Sequence, residues 1–201
     1  MRLPTSWSTH VAMDLGAIIL VGGASSRMGR DKADLSWNGR GAVERLAGVA
    51  AALGAGLVIT AGRGGFGLAH ADDPAPGGGP VSGIAAGLAA LRAAGAARAL
   101  ALAVDAPTLL AADLAPLIDA PSPGAAYDGL NLPLVMDLAA APASAGAGWA
   151  VGRLVAEAGL ARLQPPAGAV ERLRGANTPE ERERLLAALV AVESAQDRGA
   201  G

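Results

Sequence analysis

Three short runs, Gly16-Ala-Ile-Ile-Leu-Val21, Gly56-Leu-Val-Ile-Thr60 and Ala97 to Val104, are apolar almost throughout and constrain the fold more than any other feature. Runs this short and this continuously apolar are strands buried on both faces, a pattern that belongs to parallel sheets covered by helices. Helical spacing fills the gaps between them. Ala42 to Leu53 carries Val43, Leu46, Val49, Ala50 and Leu53 on one face and stops at Gly54. Pro80 suits the first turn of a helix, where its missing N–H is not needed, and Ile84, Leu88 and Leu91 follow before Gly95. Strand alternating with helix implies parallel pairing and right-handed crossovers, hence a three-layer α/β/α domain with a mostly parallel central sheet.

Elsewhere the periodic signal is weaker. A short strand is expected around Leu68 to Ala71, a helix over Asp113 to Ile118, strands over Ala125 to Tyr127 and Leu132 to Met136 about the Asp128-Gly129 turn, and a helix over Trp149 to Ala158. Thr178-Pro179-Glu180-Glu181 is a capping box with proline at the first helical position, ahead of Leu185, Leu186, Leu189 and Val190. One domain over residues 14–193 is expected, with 1–13 a flexible leader and 194–201 a flexible tail.

Composition narrows the function. Sixteen basic against eighteen acidic residues, with one Phe, one Tyr and three Trp, leave neither a basic stripe nor stacking platforms for nucleic acid. The chain has no Cys, so disulfides, thiolate metal sites and a Cys nucleophile are excluded, and His10 and His70 are too few for a zinc site. Met1 to Asp14 lacks the apolar core of a signal peptide and no run is long enough to span a bilayer, so a cytoplasmic protein is expected.

The chemistry concentrates in Leu20-Val-Gly-Gly-Ala-Ser-Ser-Arg-Met-Gly-Arg-Asp-Lys32, just past the first buried strand, where open α/β sheets bind ligands. Gly22, Gly23 and Gly29 let backbone N–H groups approach an anion, and Arg27, Arg30 and Lys32 supply cations. Any one of these residues is better read as packing or as a solvated charge; the whole set in one loop is better read as a polyphosphate site. It is not a P-loop, because Arg30 follows Gly29 and Ala33 follows Lys32. Gly62-Arg-Gly-Gly-Phe-Gly67 matches a dinucleotide fingerprint only formally, since no helical pattern follows it. Asp105, closing the third strand, is placed to hold Mg²⁺ against phosphate oxygens; the bland alternative is an N-cap for the helix beyond Pro107.

These motifs resemble those of the molybdenum cofactor guanylyltransferases, within a wider nucleotidyltransferase superfamily. The likeness rests on Gly22-Gly23, Arg27-Met28-Gly29, Asp31-Lys32-Ala33 and Leu35, then Gly79-Pro80 with Gly83 and Gly87-Leu88, Val104-Asp105-Ala-Pro107, Asp128-Gly129 before Pro133-Leu134, and Asn177-Thr178-Pro179-Glu180-Glu181. It implies a Rossmann-like nucleotidyltransferase fold in which Mg²⁺ on Asp105 assists transfer of GMP from GTP to the phosphate of molybdopterin. It further implies base contacts from the backbone of Leu20, Val21 and Gly22, catalytic roles for Arg27, Lys32 and Asp105, nucleotide contacts from Gly23, Lys32, Asp105 and Asp72 or Asp73, and an acceptor-side Asn177. Molybdoenzymes or other cofactor-biosynthesis proteins are the implied partners. Gly22-Gly23 leans toward GTP, where the cytidylyltransferase relatives tend to have Ala-Gly. Departures fall on the acceptor side, where Leu130, Asn131 and Leu132 replace polar residues and Leu138 to Gly148 carries no group suited to a phosphate. Two alternatives therefore stand: a nucleotidyltransferase with another base or acceptor, such as CTP:molybdopterin cytidylyl transfer, and a catalytically weak nucleotide-binding adaptor.

Overall fold

The computed structural model describes residues 13–22, 35–176 and 178–199, from 195 onward by backbone alone. The leader expected over 1–13 therefore lies almost wholly outside the described residues, as do Gly23, Arg27, Lys32 and Asn177.

A seven-stranded sheet runs in the order β5-β4-β1-β6-β8-β7-β9. Its strands are β1 (Met13–Val21), β4 (Leu57–Gly62), β5 (Ala69–Ala71), β6 (Ala96–Ala103), β7 (Gly124–Tyr127), β8 (Leu134–Asp137) and β9 (Ala161–Leu163). A hairpin of β2 (Ser36–Trp37) and β3 (Arg40–Gly41) stands apart. The helices are α1 (Ala42–Ala52), α2 (Pro80–Ala93), α3 (Ala111–Ile118), α4 (Val151–Glu157), α5 (Val170–Arg174) and α6 (Pro179–Gly199). The sheet is mostly parallel, as its apolar runs predict: β1 pairs in parallel with β4 and β6, β4 with β5, and β7 with β9. Only β8 runs against its neighbours β6 and β7.

The two-residue period of β1 divides the core. Leu15, Ala17, Ile19 and Val21 face a cluster with Leu46 of α1, Leu114 and Leu117 of α3, Leu173 of α5 and Leu185 and Leu189 of α6. Ile18 and Leu20 face the opposite cluster, with Ile84, Leu88 and Leu91 of α2 and Leu154 and Val155 of α4. Two apolar faces need two helical layers, which is why the domain has three. Gly87 in α2 lies against Ile18, where an added Cβ would meet its side-chain carbons at 2.7–2.8 Å. Helical glycine costs about 1 kcal/mol, and here it lets the helix sit directly on the central strand.

Each element expected from the sequence is present with ends shifted by a few residues. The helix closing the chain runs on to Gly199, past the expected domain end at Glu193. Three pieces were not anticipated. The hairpin turns at Asn38 and Gly39, both at positive φ (50° and 81°), an Asn-Gly signal for a tight turn that the sequence does carry. β9 presents exposed Ala161 and Arg162 and pairs through its backbone, and α5 has five residues, so neither displays a hydrophobic period.

Candidate functional site

The strand order reverses between β1 and β6, so the crevice beyond their carboxyl ends is the place where a sheet of this type takes a ligand. Leu20 pairs with Ala61 on one side and Ala103 on the other, which brings Val21-Gly22 and Val104-Asp105 out of the sheet side by side. The Leu20 carbonyl accepts from Val104 N–H at 3.2 Å and the Val21 carbonyl from Arg63 N–H at 2.7 Å. Gly62 makes the second contact possible, since at φ 101° its Cβ would lie 2.4 Å from the Val21 oxygen. Leu20 and Val21 are buried, and exposed Gly22 is the first residue of the candidate loop to leave the sheet.

At the next strand ends the two candidate aspartates separate. Asp73 Oδ1 accepts from Ser82 Oγ at 2.5 Å and from Ala75 N–H at 2.9 Å, so its carboxylate is held on the first turn of α2. That turn abuts β1, because Gly83 packs on the Leu20 side chain, where a Cβ would lie 3.2 Å from it. Asp72 turns away: its side chain is 99% exposed and lies 3.2 Å from His70 Nε2. The same ring sits 3.1 Å from Thr60 Oγ1, an arrangement reminiscent of a triad, but Thr60 is 1% exposed and unreachable by substrate, so it is no nucleophile. The Gly77 to Gly79 turn ahead of α2 is pinned by Gly148 N–H, which donates to the Gly78 carbonyl at 2.7 Å. The Ala-, Pro- and Gly-rich stretch after Leu138 therefore has a structural use.

Asp105 does not cap a helix. The helix beyond Pro107 begins at Ala111, its N-cap is Leu110, and the Leu110 N–H goes to the Asp113 carboxylate at 3.0 Å. Asp105 instead occupies the turn closed by Ala106 N–H to the Ala103 carbonyl at 3.1 Å, and its own carbonyl accepts from Ala176 N–H at 3.2 Å. A single carboxylate just past a strand end suits Mg²⁺, which takes one or two protein carboxylates and completes its shell with phosphate oxygens and water. Among the described residues there is no group of three or more His, Cys, Asp or Glu side chains, so they hold no cage for a metal bound by protein alone.

Sequence reading missed what holds Asp105 from outside. The Asp113 carboxylate, 3% exposed, receives Arg172 Nε at 2.8 Å and a second guanidinium nitrogen at 2.6 Å. That fork fastens α5 to α3, and Tyr127 donates its hydroxyl to the Asp113 carbonyl. Charge pattern could have suggested an Asp–Arg pair, but nothing marked these two as partners across 59 positions. Arg45 joins further pieces, donating to the Pro107 carbonyl at 3.1 Å and pairing with Glu193 of α6 at 2.9 Å. Asn38 donates to the same carboxylate, and Arg182 reaches the Ser36 carbonyl at 2.8 Å, so α6 clamps the hairpin that follows the candidate loop. Between α5 and α6 lies a hollow of about 130 Å³ lined by Arg174, Arg184, Glu171 and Glu181, which presents both signs of charge.

The fold agrees with that of known proteins. A family model described as the MobA-like NTP transferase domain matches residues 17–163, and the chain belongs to that family. A curated relative, the molybdenum cofactor guanylyltransferase of Xanthomonas euvesicatoria pv. vesicatoria (strain 85-10), is 36% identical over 127 residues. The match takes in 60% of this chain and 63% of that protein, so the chain spans less than two thirds of its relative's length. Among solved structures, molybdopterin-guanine dinucleotide biosynthesis protein A of Archaeoglobus fulgidus superposes with a TM-score of 0.59 at 16% identity, over 88% of this chain and 99% of its own. The 2-C-methyl-D-erythritol 4-phosphate cytidylyltransferase of Thermus thermophilus gives 0.57 at 17% identity, over 88% and 99%. These two share the fold. No helix among the described residues is long and apolar enough to cross a membrane.

Proposed function

We propose that the protein transfers GMP from GTP to the phosphate of molybdopterin, releasing pyrophosphate, as a Mg²⁺-dependent enzyme of the cytoplasm. One observation carries the reading: Asp105 leaves β6 beside the point where Gly22 leaves β1, at the reversal of strand order. The name of the Xanthomonas relative supports the guanylyl transfer, and Gly22-Gly23 favours guanine.

In this reading an acceptor phosphate oxygen attacks the α-phosphorus of GTP and pyrophosphate departs, so no covalent enzyme intermediate is needed. Asp105 would hold Mg²⁺, which would supply charge neutralisation at the nucleotide phosphates. The backbone of Leu20, Val21 and Gly22 reads the base, Lys32 and Arg27 take phosphate charge, and Asp73 steadies the first turn of α2. Removing one such electrostatic group typically costs about 3 kcal/mol, or ~10² in rate. Asn177 takes the acceptor side in this reading, on the likeness of Asn177-Thr178-Pro179-Glu180-Glu181 to the family's motif.

A panel of GTP, CTP, ATP and UTP in thermal shift, with and without Mg²⁺, tests the proposal. A ligand at 100 times its dissociation constant stabilises by about 2.7 kcal/mol, worth roughly 5–10 °C in a domain of this size. GTP with Mg²⁺ should give the largest shift, and Lys32→Ala and Asp105→Ala should each diminish it. A larger response to CTP would move the activity to cytidylyl transfer, a possibility in keeping with the cytidylyltransferase fold neighbour. GTP binding without pyrophosphate release in the presence of molybdopterin would leave the adaptor reading, and no response to any nucleotide would end all three.

A further inference from the structure

We propose that Gly175 is a positioning residue for Asp105, pressing the main chain of the metal-binding turn into place from outside the sheet. The inference rests on the reading of Asp105 as the Mg²⁺ ligand. Gly175 has φ 68° and ψ −174°, a region that is essentially closed to residues with a side chain. Its contacts are more restrictive still. A Cβ here would stand 1.9 Å from the Asp105 carbonyl oxygen, 2.5 Å from its carbonyl carbon and 3.0 Å from Ala106 Cα. All three are backbone atoms, so no rotamer change relieves the overlap.

The adjoining hydrogen bonds turn this close approach into a strap. Gly175 N–H donates to the Glu171 carbonyl at 3.1 Å, ending α5, and Ala176 N–H donates to the Asp105 carbonyl at 3.2 Å. Asp105 lies beyond the last β6 residue, where the sheet's own hydrogen bonds have ended. On the sheet side, Val104 N–H to the Leu20 carbonyl and Ala106 N–H to the Ala103 carbonyl define the turn. The strap supplies the opposite wall. It is anchored from behind by the Arg172 fork on Asp113 and by buried Leu173, so displacing it means displacing α5. An alanine at 175 would push the strap and the turn apart by about 1 Å, enough to misplace a carboxylate that must meet a metal at a fixed distance.

The test is Mn²⁺ binding followed by electron paramagnetic resonance, with GTP present, on the full chain and its variants. Loss of an outer-shell support typically costs 10–100-fold in metal affinity, and Gly175→Ala should weaken Mn²⁺ by about tenfold or more. Its GTP affinity measured in EDTA should stay at the wild-type value, a combination that general destabilisation would not produce. Gly168→Ala is the control at another positive φ: φ is 73° there, but a Cβ would meet nothing within 4 Å, so Mn²⁺ binding should be retained. If Gly175→Ala lacks native circular dichroism, Arg172→Ala decides by the same criterion, because it loosens the strap from its far end. Weakened Mn²⁺ in Asp105→Ala with unchanged Mn²⁺ in Gly175→Ala, or in Arg172→Ala if that stands in, overturns the strap alone. Unchanged Mn²⁺ in Asp105→Ala overturns the metal reading and the strap with it.

Discussion

Tyr127 offers a direct measurement of how firmly the support behind Asp105 is built. It is the single tyrosine of the chain, 0% exposed, and its hydroxyl donates to the carbonyl of Asp113, the residue whose carboxylate grips Arg172. Burial, and then the nearby Asp113 charge, push its pKa from 10.0 up to about 12. The unfolded chain releases this proton near pH 10 and the folded chain two pH units later, so above pH 10 the native state binds more protons than the unfolded one. Stability from this group is whole below pH 10 and is lost as pH rises to 12, by about 1.4 kcal/mol per unit and about 3 kcal/mol in all. Ultraviolet absorbance of tyrosinate reports Tyr127 alone, since tryptophan does not ionise, and circular dichroism on the same samples reports folding. Tyrosinate should appear near pH 12 or together with unfolding. Tyr127→Phe should lack the signal, lose about 1 kcal/mol at neutral pH, and show a stability curve shallower by about 3 kcal/mol between pH 10 and 12. A tyrosinate midpoint near pH 10 in a chain with native circular dichroism would refute the reasoning.

Two further substitutions probe neighbouring contacts. Asp113→Ala strands Arg172 and the Leu110 N–H; because the Arg172 side chain is 26% exposed and can rehydrate, the loss should sit at the low end for a broken buried pair, about 3 kcal/mol, read as a roughly 6–12 °C fall in Tm. Asp73→Ala should cost about 1 kcal/mol at the start of α2 and reduce the thermal response to GTP, whereas Asp72→Ala, at a side chain 99% exposed, should change stability by less than about 0.5 kcal/mol and leave that response intact. The reverse order in nucleotide response would assign the role to Asp72.

How much of this was legible in the chain depends on the range of the interaction. β1, β4 and β6 announce themselves because burial on two faces demands unbroken apolar runs, and α1 and α2 because one buried stripe demands a 3.6-residue period. The capping box at Thr178 was readable to the atom: its N–H donates to Glu181 at 3.1 Å, and its hydroxyl accepts from Glu181 N–H at 3.2 Å. Asp105 could be singled out from its place after a strand, and the structure removed its rival role by starting α3 at Ala111. The choice between Asp72 and Asp73 was not legible. Adjacent residues leave a strand end in different directions, and only the position of Ser82 shows which carboxylate turns toward α2.

By itself, then, the order of residues determined the layers, the parallel sheet and the strand ends after which the candidate loop and Asp105 follow, because these follow from periods of two to four residues. Tertiary structure alone decided that Gly175 rests on the Asp105 carbonyl, that Arg172 finds Asp113, and that α6 clamps the hairpin after the loop. Such contacts join segments far apart along the chain through close approach and hydrogen-bond direction, quantities that come into being only when the sheet and its two helical layers have closed.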